Sequence, residues 1–143
     1  MQLEAVIARI EDSVPELTGR VEGLAQLSLL LGNNEVPQVT PAAFVIPLGL
    51  DAGEQIDATS VHEQLVTESI GVVIVIDYAG DHHGASALPG AETLVNQVIN
   101  AVTGWQSDPQ SLNFSLRRGR LLSANNGTMF YQLDFSIQYL LRI

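Results

Sequence analysis

The sequence predicts an α+β fold: a single domain over residues 1–143, with a mainly antiparallel mixed β-sheet of about four to five strands, two to three flanking helices and a protruding loop and strand region. Three observations carry this. Leu3, Val6, Ile7, Ile10 and Val14 recur at helical spacing, with Glu4, Arg9, Glu11 and Asp12 on the other side. The run "VTESIGVVIVI" is rich in β-branched residues and becomes continuously apolar, as in a strand buried on both faces. The closing third places two alternating segments around Asn126-Gly127, the strongest short hairpin signal.

The first helix should end near Pro15, and a second is expected within Leu24 to Leu31, stopped by Gly32, Asn33 and Asn34. Being short and apolar, that second helix is expected to be buried. After "EVPQVTP", the segment "AAFVIPLGL" reads as a strand in which Pro47 marks an edge or an end. "DAGEQIDATS", with three acids, reads as an exposed loop, beside which the first half of the long Val61 to Tyr78 strand protrudes. "AGDHHGASALPG" reads as a loop. Leu94, Val95, Val98, Ile99 and Val102 then mark a helix from Ala91 to Gly104, with Trp105 packed at its end. In the final strand Met129, Tyr131, Leu133, Phe135, Ile137, Tyr139 and Leu141 alternate with Gln132, Asp134, Ser136 and Gln138, so one face should be buried and the other wet.

Composition narrows the function classes. A chain of 143 residues that is 46% hydrophobic can bury one core. A formal charge of −10, with 16 acids against 6 arginines and no lysine, opposes loose association with nucleic acid or anionic membranes. No cysteine is present, which removes disulfide and thiolate chemistry. The acidic amino-terminal segment lacks the basic start and apolar core of a signal peptide, and the Ile70 to Ile76 run is far short of a membrane span. The expectation is a soluble protein made in the cytoplasm, without a membrane partner.

Catalytic signatures are sparse. Asp81, His82 and His83, with His62 elsewhere, are the only clustered metal-ligand types, and adjacent histidines lack the spacing of a zinc site. Ser60 and Ser86 lie near histidines without a visible third partner, and no phosphate-loop pattern is present. The expectation is neither an enzyme nor a holder of metal or cofactor.

"LRRGRLL" is the anomaly, because it holds three of the six cations. With Asn126 and Gly127 at the turn, an uninterrupted register sets Ala124 opposite Met129, Leu122 opposite Tyr131, Leu116 opposite Ile137, Phe114 opposite Tyr139 and Leu112 opposite Leu141. That register puts Arg120 opposite Leu133 and Arg118 opposite Phe135, in the apolar row, while Arg117 points the other way. Three readings stay open. The aliphatic stems cover the sheet while the guanidinium groups reach water, a bulge at Gly119 turns them away, or the arginines meet another protein. A nucleic-acid grip is disfavoured, since no basic face or stacking platform surrounds them.

Several segments in succession resemble the tail terminator family of long-tailed bacteriophages. They are the amphipathic amino-terminal helix running into "VPEL" and "RVEGLAQL", "TPAAFVIPLG", "HEQLVTESIGVVIVI", the helix ending in "VTGW", "GRLL", an Asn-rich turn and "FYQLDFSIQYLLRI". Together they span essentially the whole chain. "RRGR" and the histidine doublet lie outside the resemblance.

The resemblance implies a structural virion protein that assembles as a homohexameric ring on the end of the tail tube. There it stops polymerisation and offers the head–tail joining surface, at the head-proximal end of the tail, after assembly in the host cytoplasm. Its implied partners are further copies of itself, the major tail-tube protein and a head–tail connector protein, with DNA passing through unbound. The candidate interface residues are Arg117, Arg118 and Arg120, together with Asp51, Glu54, Asp57, Glu63 and Glu68. The alternatives are another head–tail connector or tail-completion protein, and, from a different class, a small metal-dependent hydrolase or ligand-binding domain using the Asp81-His82-His83 loop.

Overall fold

The computed structural model describes residues 2–56, 61–78, 87–125 and 127–143. Leu3–Ser13 form helix α1, whose apolar stripe buries Val6 and Ile10. A 3-10 turn at Pro15–Leu17 follows, where proline at the first position loses nothing because that N–H would be unpaired anyway. A two-residue strand, β1 (Val21–Glu22), leads into helix α2 (Leu24–Gly32). Asn34, at φ 54, supplies the left-handed residue that closes α2.

The long strands β2 (Ala42–Gln55) and β3 (Glu63–Asp77) come next, then helix α3 (Ala87–Val102), and finally β4 (Ser115–Asn125) and β5 (Thr128–Arg142). They form one five-stranded sheet in the order β1-β2-β3-β5-β4. Among the described residues only the β1 to β2 pairing is parallel, so the sheet is mixed and mainly antiparallel, as the sequence predicts.

Helices α1 and α3 lie on one face of the sheet. Their Val6, Ile10, Leu94, Val98 and Val102 pack against Val45, Ile70, Val72, Ile74, Leu133, Phe135 and Ile137, building the main core. At the centre of β3, Val72 to Val75 are all at most 2% exposed, because α2 covers Phe44, Val73 and Val75 from the opposite side. Beyond α3, Trp105 stacks on Phe114 at 5.6 Å. Arg9 lies over the indole at 5.4 Å and donates from Nε to the Ala101 carbonyl at 2.8 Å, satisfying a last-turn oxygen that α3 itself leaves unpaired.

Helix α2 departs from expectation. Only Leu27 is buried, while Leu29 and Leu31 are 66% and 58% exposed. A helix with leucines all round, set on one corner of a sheet, can cover only one stripe of them. The acidic segment departs too. Residues 51–55 are strand rather than loop, since Asp51 and Ala52 continue the ladder to Thr67 and Val66. Pairing with a strongly β-forming partner outweighs the low strand propensity of aspartate and glycine. The exposure holds: every residue from Leu48 to Ile56 is exposed. Glu63 starts β3 in this arm, but Val66 and Glu68 are already buried, so the protruding part is shorter than the sequence suggests.

Phe114 is 1% exposed, and its backbone exchanges hydrogen bonds with Trp105 and Gly104, so it ties α3 to the start of β4. Phe114→Ala should lower unfolding free energy by about 3–5 kcal/mol in a denaturant titration. A loss below about 1 kcal/mol would contradict this role.

Candidate functional site

The register of β4 on β5 fixes where the arginines go. Near the turn the pairs are those of an uninterrupted hairpin, with Asn125 opposite Thr128 and Ala124 opposite Met129. A shift between Leu121 and Ser123 then leaves Leu122 unpaired, and a second between Leu116 and Arg118 leaves Arg117 unpaired. Between these two bulges the side-chain parity of β4 is inverted. Gly119 and Leu121 face Leu133 and Tyr131 in the apolar row, whereas Arg118 and Arg120 lie opposite Asp134 and Gln132. The uninterrupted pairing of Arg118 with Phe135 and Arg120 with Leu133 is thereby corrected. Leu116 meets Phe135 rather than Ile137, Tyr139 bridges Ser111, and Leu112 and Phe114 precede the strand.

The physical reason lies in the sequence pattern. Leu116 and Ala124 belong in the apolar row, and Arg118 and Arg120 share their parity along a regular strand. One extra residue on each side of Arg118 and Arg120 keeps both Leu116 and Ala124 in the apolar row, Leu116 moved by two from Ile137 to Phe135, while the two charges turn to the other face. An edge strand accepts such bulges most readily. Gly119 fits the same scheme, because a Cβ there would lie 2.8 Å from the Tyr131 hydroxyl and 3.1 Å from Leu133. The bare glycine lets the tyrosine ring lie across the strand.

On the face away from α1 and α3, the expected wet row of β5 is instead buried: Gln132, Asp134 and Ser136 are 4%, 6% and 7% exposed. Gly71, on the neighbouring strand, helps to make this possible, since a Cβ there would come within 3.3 Å of Ile46, Leu48 and the Gln132 amide. Buried polar groups must be hydrogen-bonded to be tolerated, and these form a chain. Arg118 Nε donates to Asp134 Oδ2 at 2.8 Å, and Gln132 Nε2 donates to Asp134 Oδ1 at 2.7 Å. Burial alone would raise the Asp134 carboxyl. The bonds from Arg118 and Gln132, with the charges of Arg118 and Arg120, outweigh it and hold the group below its ordinary value of 3.8. Asp134 and Gln132 are the members of this network that sequence reasoning missed. Their signal was the polar alternation in "QLDFSIQ", read there as a solvated face.

Arg117 stays on the face opposite the apolar row, where the uninterrupted register also had it, and it is Arg118 and Arg120 that the bulges bring round to join it. Unpaired in its bulge, Arg117 lines a cleft of about 310 Å³ with Thr67, Asn113, Ser115, Ser136 and Gln138, on the same polar face. Arg120 is exposed beside Asp134. The structure therefore brings the three arginines together along one edge of one face.

The acidic candidates are more scattered. Asp51 and Glu54 are exposed on β2. Glu63 pairs with Arg142 at 2.7 Å across the end of the arm. Glu68 is buried on the α1 side, where it accepts the Gln2 backbone N–H at 3.3 Å, so it is not a surface residue. Asp57, Ser60, Asp81, His82, His83, Ser86 and Asn126 lie outside the described residues. Among the described residues, no group of three His, Cys, Asp or Glu side chains could hold a metal ion, and no helix is long and apolar enough to cross a membrane.

These features define a class: an α+β protein with helices on one sheet face and a polar, arginine-edged surface on much of the other. The chain belongs to the phage tail terminator protein family, whose model matches residues 1–143. It is thus a structural protein of the phage tail, with its place in the virion. No curated protein matches the chain. Among solved structures, a chain from the virion of a native gene transfer agent particle superposes with a TM-score of 0.46 at 14% identity, over 95% of this chain and 98% of that one. That likeness is too distant to bear on function.

The Asp134 ion links stability to pH. The unfolded carboxyl takes its proton near the ordinary value and the folded one only at lower pH, so the ion favours folding above that window. The contribution disappears as pH falls through the folded value. Asp134→Asn should be less stable than the parent at about pH 7, and should lose less further stability on going to about pH 3. Chemical denaturation at the two pH values measures this, and equal acid losses in both proteins would contradict it.

Proposed function

We propose that the chain is the subunit of a closed ring that caps the tail tube, ends its polymerisation and presents the joining surface for the head. The observation that carries this reading is the family match over the whole chain, residues 1–143. The homohexamer, the tube protein and the head–tail connector enter as the partners such a role requires. The fold supplies what a ring subunit needs. A closed ring joins unlike patches on each copy, and the two ends of this sheet are unlike. One carries the exposed acidic stretch of β2, the other the arginines of β4. The net charge of −10 also suits a channel through which DNA must pass without adhering.

Of the candidate interface residues, Arg117, Arg120, Asp51 and Glu54 are exposed and suited to contacts between subunits or with the tube. Arg118 has a second role, since it holds Asp134. Glu63 is occupied by Arg142, and Glu68 by the amino-terminal backbone.

Native mass spectrometry and electron microscopy of the purified protein, alone and mixed with tail tubes, test the proposal. Rings of six copies, free or on tube ends, and tubes that stop elongating are the expected result. A protein that stays monomeric and leaves tube growth unchanged would refute it.

A further inference from the structure

We propose that the cleft around Arg117 is a carboxylate receptor, filled in the assembled protein by Glu54 of a second copy, with Asp51 beside it. The inference rests on the ring reading above and names the contact that joins neighbouring copies.

The cleft is built for an anion. Among the described residues its polar lining consists of three hydroxyls (Thr67, Ser115 and Ser136), two carboxamides (Asn113 and Gln138) and one guanidinium, with no carboxylate. That is unusual in a chain with 16 acids and 6 cations. Gln138 Nε2 donates to Thr67 Oγ1 at 3.2 Å, which leaves the Thr67 hydroxyl its own proton to donate into the cleft. Among the described residues Arg117 has no acidic partner, whereas Arg118 next to it is held by Asp134 at 2.8 Å. The bulge between Leu116 and Arg118 therefore sets one uncommitted guanidinium among neutral donors, an arrangement suited to charge-assisted, bidentate recognition of a carboxylate.

The occupant is identified by charge and by position. β4 carries three of the six cations and no acid, while β2 carries Asp51 and Glu54 and no cation. β1 reaches only Ala43 and Phe44. From Leu48 to Glu54, β2 is therefore exposed and has no strand on its outer side among the described residues. Within one chain Asp51 is the ladder partner of Thr67 on the β3 side of the cleft. Three strand spacings of roughly 4.8 Å nevertheless lie between β2 and β4 and keep Glu54 from the Arg117 guanidinium. A second copy brings its acidic edge against the arginine edge of the first, a head-to-tail contact that repeats from copy to copy.

Charge reversal in the full-length protein tests this. Arg117→Glu and Glu54→Arg each alter an exposed side chain, so each monomer should melt as the parent does, and Arg117→Gln serves as a milder variant. Assembly is read by sedimentation over a concentration series and by capping of tail tubes. Each single reversal should weaken ring formation by about tenfold or more, and the combined Arg117→Glu, Glu54→Arg protein should recover most of it.

Singles that weaken assembly without rescue in the pair would overturn the proposed partner. Rings unaffected by any variant, or rings that persist while Arg117→Glu alone loses tube capping, would overturn it as well, the last assigning the cleft to the tube protein. A parent protein that never forms rings, even on tubes, would defeat the ring reading itself and this contact with it.

Discussion

The apolar row that β5 presents to α1 and α3 admits no charge, and β4 must be shaped to respect it. Leu133 and Phe135 are at most 1% exposed beneath the helices, so an arginine set opposite them meets apolar neighbours, whereas on the other face Asp134 offers it a carboxylate. The bulges at Leu122 and Arg117 resolve the conflict by inverting the strand between them. Everything distinctive about the polar face follows from that inversion. Arg118 can reach Asp134, Asp134 can be buried as an ion, Gln132 can bridge to it, and Arg118 and Arg120 join Arg117 on that face.

Much of the fold is legible in the sequence, for identifiable reasons. α1 shows a full helical stripe, β3 a continuous apolar run and the last hairpin its Asn-Gly turn, each a local pattern stronger than its competitors. Trp105 follows the end of a clear amphipathic helix, and its packing there was foreseeable. The misreadings arise where local pattern and tertiary context disagree. The leucines of α2 look like core, yet only one sheet corner is available to cover them. The acids of 51–55 look like loop, yet the ladder with β3 continues through them.

The candidate site was legible as composition but not as geometry. The concentration of arginines in "LRRGRLL" marks it, and a bulge was among the readings open to it. Its location could not be read, because a bulge is fixed by how two strands satisfy a shared core rather than by the residues it displaces. The alternating Gln132, Asp134 and Ser136 misled in a related way. Polar alternation normally means water on that face, and only the neighbouring Arg118 and the bare Gly71 convert it into a buried network. The same network separates a structural arginine from an available one, a distinction that three nearly adjacent arginines cannot express in sequence.

The inverted register is the claim on which this account stands, and cross-strand nuclear Overhauser contacts along β4 and β5 measure it directly. Backbone contacts should set Arg118 directly opposite Asp134 and Arg120 opposite Gln132, with Ala124 still opposite Met129. Contacts that set Arg118 opposite Phe135 and Arg120 opposite Leu133 would show an unbroken hairpin, and would contradict the placement of the arginines on the polar face.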